Sequence, residues 1–240
     1  MKNILVPTTL QHDTLYSVKA AIKQSAGAYC VITLVLLSEA PDAESAAYYL
    51  RKTKHASTTL QAKVLDNCRK VAYATGNCSL EIHNQYGLSA PLLKHLLEHL
   101  GTNLIIIPAS YKQESGKINH YFLGLLANSR VPMLHMAPDC EEKDLNKALY
   151  LEHDKTQLDV QQLQQHINGQ FSFKIVSHAT VGEYYPEQLG QQITEAISKN
   201  NIDLLIETRK PEKIRKKNKG VNVNDTLGLP VLSIYEEAVL

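Results

Sequence analysis

No apolar run in this sequence approaches the roughly 18 residues that a bilayer span requires, which argues against a membrane protein. Nor does either sign of charge prevail. Lys and Arg number 25 against 24 Asp and Glu, a net +1, too little to draw the whole molecule to nucleic acid or an anionic surface. The four cysteines, Cys30, Cys68, Cys78 and Cys140, show no CxxC spacing and no metal-finger arrangement. Free thiols are expected, as in a reducing compartment, with Cys30 acting as a small hydrophobe inside an apolar run. The opening Met-Lys-Asn-Ile-Leu-Val-Pro lacks the apolar centre and small-residue cleavage site of a signal peptide. A cytoplasmic location is the expectation. At 240 residues, with 44% hydrophobic and 20% charged, the chain can form one large or two small cores.

What is present is an alternation of short apolar runs with helical spacing. Lys2–Pro7 is a buried strand stopped by proline. Residues 13–26 repeat apolar side chains at Leu15, Val18, Ala21, Ile22 and Ala26, a helical period. Residues 29–37 read as a second strand, 41–75 as one long helix ended by Gly76, and 79–86 as a third strand. Ser89 caps a helix that runs to Leu100 and is closed by Gly101. Then come strand 103–107, helix 118–128 and strand 132–136. Such alternation predicts a parallel sheet with right-handed crossovers.

After a charged break the pattern restarts. Strand 147–151, helix 156–167, strand 171–178, helix 186–199, strand 203–206 and strand 231–235 follow. Asn103-Leu-Ile-Ile-Ile corresponds to Asp203-Leu-Leu-Ile-Glu207, and Val131-Pro-Met-Leu-His-Met136 to Leu229-Pro-Val-Leu-Ser-Ile234. The second copy is shorter, by about one strand and one long helix. The expected organisation is a five-stranded domain over 1–138, a linker over 139–145 and a shortened domain of about four strands over 146–240.

Lys2-Asn-Ile-Leu-Val-Pro-Thr, the Asn103 strand and the Val-Pro-Met-Leu strand together resemble the universal stress protein family. The resemblance covers 1–138 by order and spacing and 146–240 more loosely. It implies an α/β fold of two tandem Rossmann-like units, of the adenine nucleotide alpha hydrolase type, the second truncated. In the ATP-binding branch of that family, a strand end is followed by Gly-x-x-Gly and later by Gly-Ser or Gly-Thr. Glycine there lets backbone N–H groups approach the phosphates, helped by a helix N-terminus. In this chain those positions fall on Pro108 and Tyr111, then Asn119 and His120. In the second unit they fall on Thr208 and Pro211, then Lys217 and Asn218. The ribose-contacting acid of the family corresponds to Thr9 and to Asp154. Proline has no N–H to offer, so ATP is not expected to bind in the family manner. Family members commonly pair through their last strands, and in a tandem chain residues 132–136 and 231–235 would do so internally, covering two exposed edges.

Four further features carry competing readings. His95-Leu-Leu-Glu98-His99 matches a zinc peptidase pattern, yet Leu93, Leu96, Leu97 and Leu100 mark the buried face and turn the polar residues to water. Ser115-Gly-Lys117 lacks the earlier glycine of a P-loop, since Ala109 occupies or adjoins its place. Arg209 to Lys219 holds seven basic residues and one acid in eleven, a solvated loop or an anion contact. Tyr111, His120 and Tyr121 are expected around the first unit's old ligand crevice.

The expected function is a non-enzymatic cytoplasmic binding or regulatory module with no cofactor. The alternatives are a nucleotide binder with an altered phosphate site, using Asp154, Lys210 and Lys217, and an anion- or nucleic-acid-binding adaptor through 209–219. Expected partners are a protein or small ligand, with a homodimer open and no membrane.

Overall fold

Ile4, Leu5 and Val6 follow one another without a polar break, so neither face of the first strand can be left to water. In the computed structural model, which describes residues 1–39, 58–138, 144–153, 159–181, 186–210 and 227–239, that strand lies within a nine-stranded sheet. The strands are β1 (Lys2–Pro7), β2 (Cys30–Ser38), β3 (Cys78–Tyr86), β4 (Leu104–Ile107), β5 (Met133–His135), β6 (Lys147–His153), β7 (Lys174–Val181), β8 (Leu204–Arg209) and β9 (Val231–Tyr235). Their order is β3-β2-β1-β4-β5-β9-β8-β6-β7. Neighbours among the described strands pair in parallel except β5 and β9, which run antiparallel with Met133 opposite Ser233, Leu134 opposite Leu232 and His135 opposite Val231.

The helices are α1 (Thr14–Gln24), α2 (Thr59–Thr75), α3 (Ala90–His99), α4 (Ala109–Gln113), α5 (Lys117–Ala127), α6 (Val160–Gln170) and α7 (Pro186–Asn200). Of the single long helix expected over 41–75, residues 41–57 lie outside the described residues, and the remainder is corrected: α2 starts at Thr59. Thr58 accepts from the Gln61 amide, and the Gln61 side chain accepts from the Thr58 amide, a capping box that opens a new helix. Asp159 and Gln162 open α6 in the same way, and it begins at Val160, four residues later than the sequence pattern suggested. Ser89 caps α3 through the Leu92 amide. Helix α4 was not expected at all.

The two faces of the sheet are built differently. One apolar cluster under α1, α2 and α6 runs without a break from Ile32 and Ile4 through Ile106, Leu134 and Leu232 to Ile206 and Tyr150. On the other face there are two clusters. Leu5, Ile105, Ile107 and Met133 pack with Leu93, Tyr111 and Phe122, while Leu149, Leu205 and Val231 pack with Ile193 and Ile202. Lys2 further links the two halves. Its ammonium donates to the Gln24 carbonyl at 2.6 Å and to the Gln170 carbonyl, at the ends of α1 and α6, where helix dipoles favour a cation. Cys30, Cys68 and Cys78 are free, and Cys140 lies outside the described residues. Among the described residues, no helix is long and apolar enough to cross a membrane.

Candidate functional site

Strand order reverses at β1, with β2 on one side and β4 on the other. The crevice beyond the carboxyl ends of such strands is where open α/β sheets hold ligands. Here the chain's own side chains bond to one another. Asp13 sits at the start of α1 but makes no side-chain bond to that helix. Instead its carboxylate reaches α4, accepting from the Ser110 amide at 2.7 Å and the Ser110 hydroxyl at 2.6 Å. Thr9 donates through Oγ1 to Glu114 at 2.9 Å, and its carbonyl accepts from Gln61 at 3.1 Å. The Thr8 hydroxyl is shared with Thr14 at 2.7 Å and accepts from the Leu10 amide. That last bond holds Leu10 at φ 60°, a left-handed angle that costs a non-glycine residue about 1–2 kcal/mol.

The glycine-equivalent positions of the first half are filled in the same sense. Pro108 leads into α4 and offers no cap. Tyr111 is buried and meets Phe122 edge-on at 6.5 Å, and its hydroxyl donates to Asn119 Oδ1 at 3.2 Å. Burial pushes the Tyr111 hydroxyl up from its ordinary pKa, and nearby Glu114 adds to the effect. Asn119 is buried while His120 is exposed. The expectation that Tyr111, His120 and Tyr121 share one crevice is therefore corrected. Only Tyr111 lies in the packed interior, and Tyr121, one residue past outward-facing His120, turns to a different cleft.

In the second half, Asp154, Pro211, Lys217 and Asn218 lie outside the described residues, as does the segment 211–219. Thr208 and Lys210 flank Arg209 at the end of β8. Arg209 is not a loop cation. Nη1 donates to the Ser233 carbonyl at 2.6 Å, while Nη2 donates to those of Ser129 at 2.9 Å and Val131 at 2.6 Å. The guanidinium also stacks 5.8 Å from the Tyr235 ring centre. Burial lowers its pKa to about 10, opposed by Glu207, so it stays charged at neutral pH. Lys210 pairs at 3.1 Å with Glu236, whose side chain is 5% exposed.

An open cleft of about 700 Å³ lies over the junction of β5, β9 and β8. Tyr121, Gly124 and Leu125 of α5, Met133 and His135 of β5, and Glu207, Arg209 and Ser233 line it. Burial lowers the His135 pKa to about 3, with the charges of Lys112 and Arg209 adding to the shift. Of the residues singled out in the sequence, Thr208, Lys210 and Tyr121 line this cleft, but His135 and Ser233 are not among them. The cleft's signal is a polar residue after the shared Pro-x-Leu, His135 in one strand and Ser233 at the matching place in the other.

The remaining motifs lie on the surface or at a helix start. His95, Glu98 and His99 are exposed, and Glu98 pairs with Lys94 at 3.8 Å. Ser115-Gly-Lys117 is the start of α5. Among the described residues no group of three metal-ligating side chains forms.

No family model and no curated protein matches this sequence. Solved structures do. A universal stress protein from Archaeoglobus fulgidus aligns over 98% of both chains, at 12% identity and a TM-score of 0.57. A functionally unknown protein from Pseudomonas aeruginosa aligns over 100% of this chain and 94% of its own, at 13% identity and a TM-score of 0.50. The chain has the α/β fold of the universal stress proteins.

Proposed function

We propose that this protein is a non-catalytic, cytoplasmic binding or regulatory module of the universal stress type, built from two tandem units of which the second is shortened. Its inherited nucleotide crevice is closed from within, so ATP does not bind there in the family manner. The observation that carries this reading is the double hydrogen bond from Ser110 to the Asp13 carboxylate. The amide at the mouth of α4 is already satisfied by an anion, and a second anion brought beside it would meet a fixed negative charge. Tyr111 and Asn119, bonded to each other, fill the space where close approach of a phosphate needs glycine.

Calorimetric titration with Mg-ATP, alongside melting curves, tests the reading. The expected result is no saturable heat and no rise in melting temperature, whereas a ligand at 100 times its dissociation constant adds about 2.7 kcal/mol. A crystal structure with a triphosphate cradled by residues 108–120 would overturn it.

A further inference from the structure

The apolar core is continuous on one face of the sheet and interrupted on the other. The interruption falls at the three strands that join the halves, where His135, Ser233, Glu207 and Arg209 replace apolar residues on one face only. Polar residues confined to one face, beneath an open cleft of about 700 Å³, are a built feature rather than poor packing. The volume lies within the roughly 300–1,000 Å³ of small-molecule sites.

Gly124 supplies an independent observation. It lies inside α5, where glycine weakens a helix relative to alanine. Its backbone angle is not left-handed, and a Cβ built there would meet nothing within 4 Å. Neither conformation nor crowding calls for glycine. What it does is leave one wall of the cleft bare.

Arg209 supplies the other. Three carbonyls fix its guanidinium, yet its Nε is buried with no hydrogen-bond partner. Arg209 lines the cleft, and an anion that meets its guanidinium there pays little ordering cost, because the side chain is already immobile. Lys112 and Arg209 set a positive potential around His135. Glu207, beside Arg209, tempers it, which suits a singly charged ligand better than a polyphosphate.

We propose that the cleft over β5, β9 and β8 binds a small organic anion, an apolar or aromatic body carrying one carboxylate, phosphate or sulfonate group. The body lies against Leu125 and Met133 beside Gly124, and the anionic group meets Arg209.

The probe is 8-anilinonaphthalene-1-sulfonate, an aromatic sulfonate followed by fluorescence in the full chain. One saturable site is expected. Gly124→Leu should weaken it at least about tenfold, since added methylenes in a pocket act on that scale. Gly169→Leu, on the helix over the opposite face, should leave it unchanged. Uncharged N-phenyl-1-naphthylamine should bind far more weakly than the sulfonate. Gly124→Ala, a single methyl with no clash, gives the same direction of change should Leu disturb folding. Absence of saturable binding, equal binding by both Gly124 variants, or equal binding of the uncharged probe would each overturn the proposal. The Mg-ATP titration reports on the β1/β4 crevice and this one on the strand junction, so either reading can fail alone.

Discussion

Leu134 and Leu232 face each other at the middle of the antiparallel register between β5 and β9, one 2% and the other 1% exposed. Both belong to the apolar cluster that runs unbroken through the two halves. Leu134→Ala should cost about 2–5 kcal/mol, and Leu134→Asp more, through a buried unpaired charge. Because the cluster is shared, fluorescence and circular dichroism should report one coincident urea transition for the whole chain. Two separated transitions would show that the halves fold independently.

Asp13→Ala removes the acceptor of two hydrogen bonds at the head of α4 and should cost about 1–2 kcal/mol, as for a lost helix cap. Tyr111→Phe leaves buried Asn119 Oδ1 without the hydroxyl and should cost about 1–3 kcal/mol. Urea midpoints measure both. Unchanged midpoints would mean that the crevice is not held shut by these bonds.

Arg209→Lys should be much more damaging than Lys210→Ser. A lysine ammonium cannot reproduce the planar fork that spans the Ser129, Val131 and Ser233 carbonyls, and the stranded carbonyls add a penalty. Lys210 lies half-exposed, where its ion pair with Glu236 is partly screened by solvent. Equal melting temperatures for the two variants would remove Arg209 as the tie between the halves.

His135 gives a dependence on pH. Its folded pKa is about 3 against an ordinary 6.5, with burial as the main cause and Lys112 and Arg209 also facing it. Below 6.5 the unfolded chain takes up a proton that the folded chain refuses. The contribution is therefore complete above 6.5 and is lost as the pH falls from 6.5 toward 3, by at most about 1.4 kcal/mol per pH unit. Glu207 also lines the cleft, and comparison with His135→Gln isolates the imidazole. Stability of the wild type should fall more steeply than that of the variant. Parallel curves would show that His135 titrates normally.

For the basic segment, Arg215, Lys216 and Lys217 are the residues to replace with Ser. The expected outcome is no nucleic-acid binding above background at about 150 mM salt, where the screening length is about 8 Å, and stability changed by less than about 0.5 kcal/mol. Binding to duplex DNA with a log–log salt slope near about −3.6, the mark of about four phosphate contacts, and flattened by the triple variant, would establish an anion surface instead.

The α/β class and most elements were legible because their signals are local. Apolar runs at β1, β4 and β9, the 3.6-residue period of α1 and α3, and the cap at Ser89 each depend on residues a few positions apart. The start of α2 was legible too, in Thr58-x-x-Gln61, though the longer apolar pattern masked it. The candidate sites were decided at longer range. Asp13 meets Ser110 across 97 positions, and Arg209 meets Ser129 and Val131 across 80 and 78. By sequence, Asp13 belongs to the head of α1 and Arg209 to a charged loop. Only the order of the strands brings one carboxylate to the head of α4, and one guanidinium to the carbonyls beyond α5. A side chain's period along the chain fixes which face it takes, whereas its partner depends on which strand ends the folded sheet sets side by side.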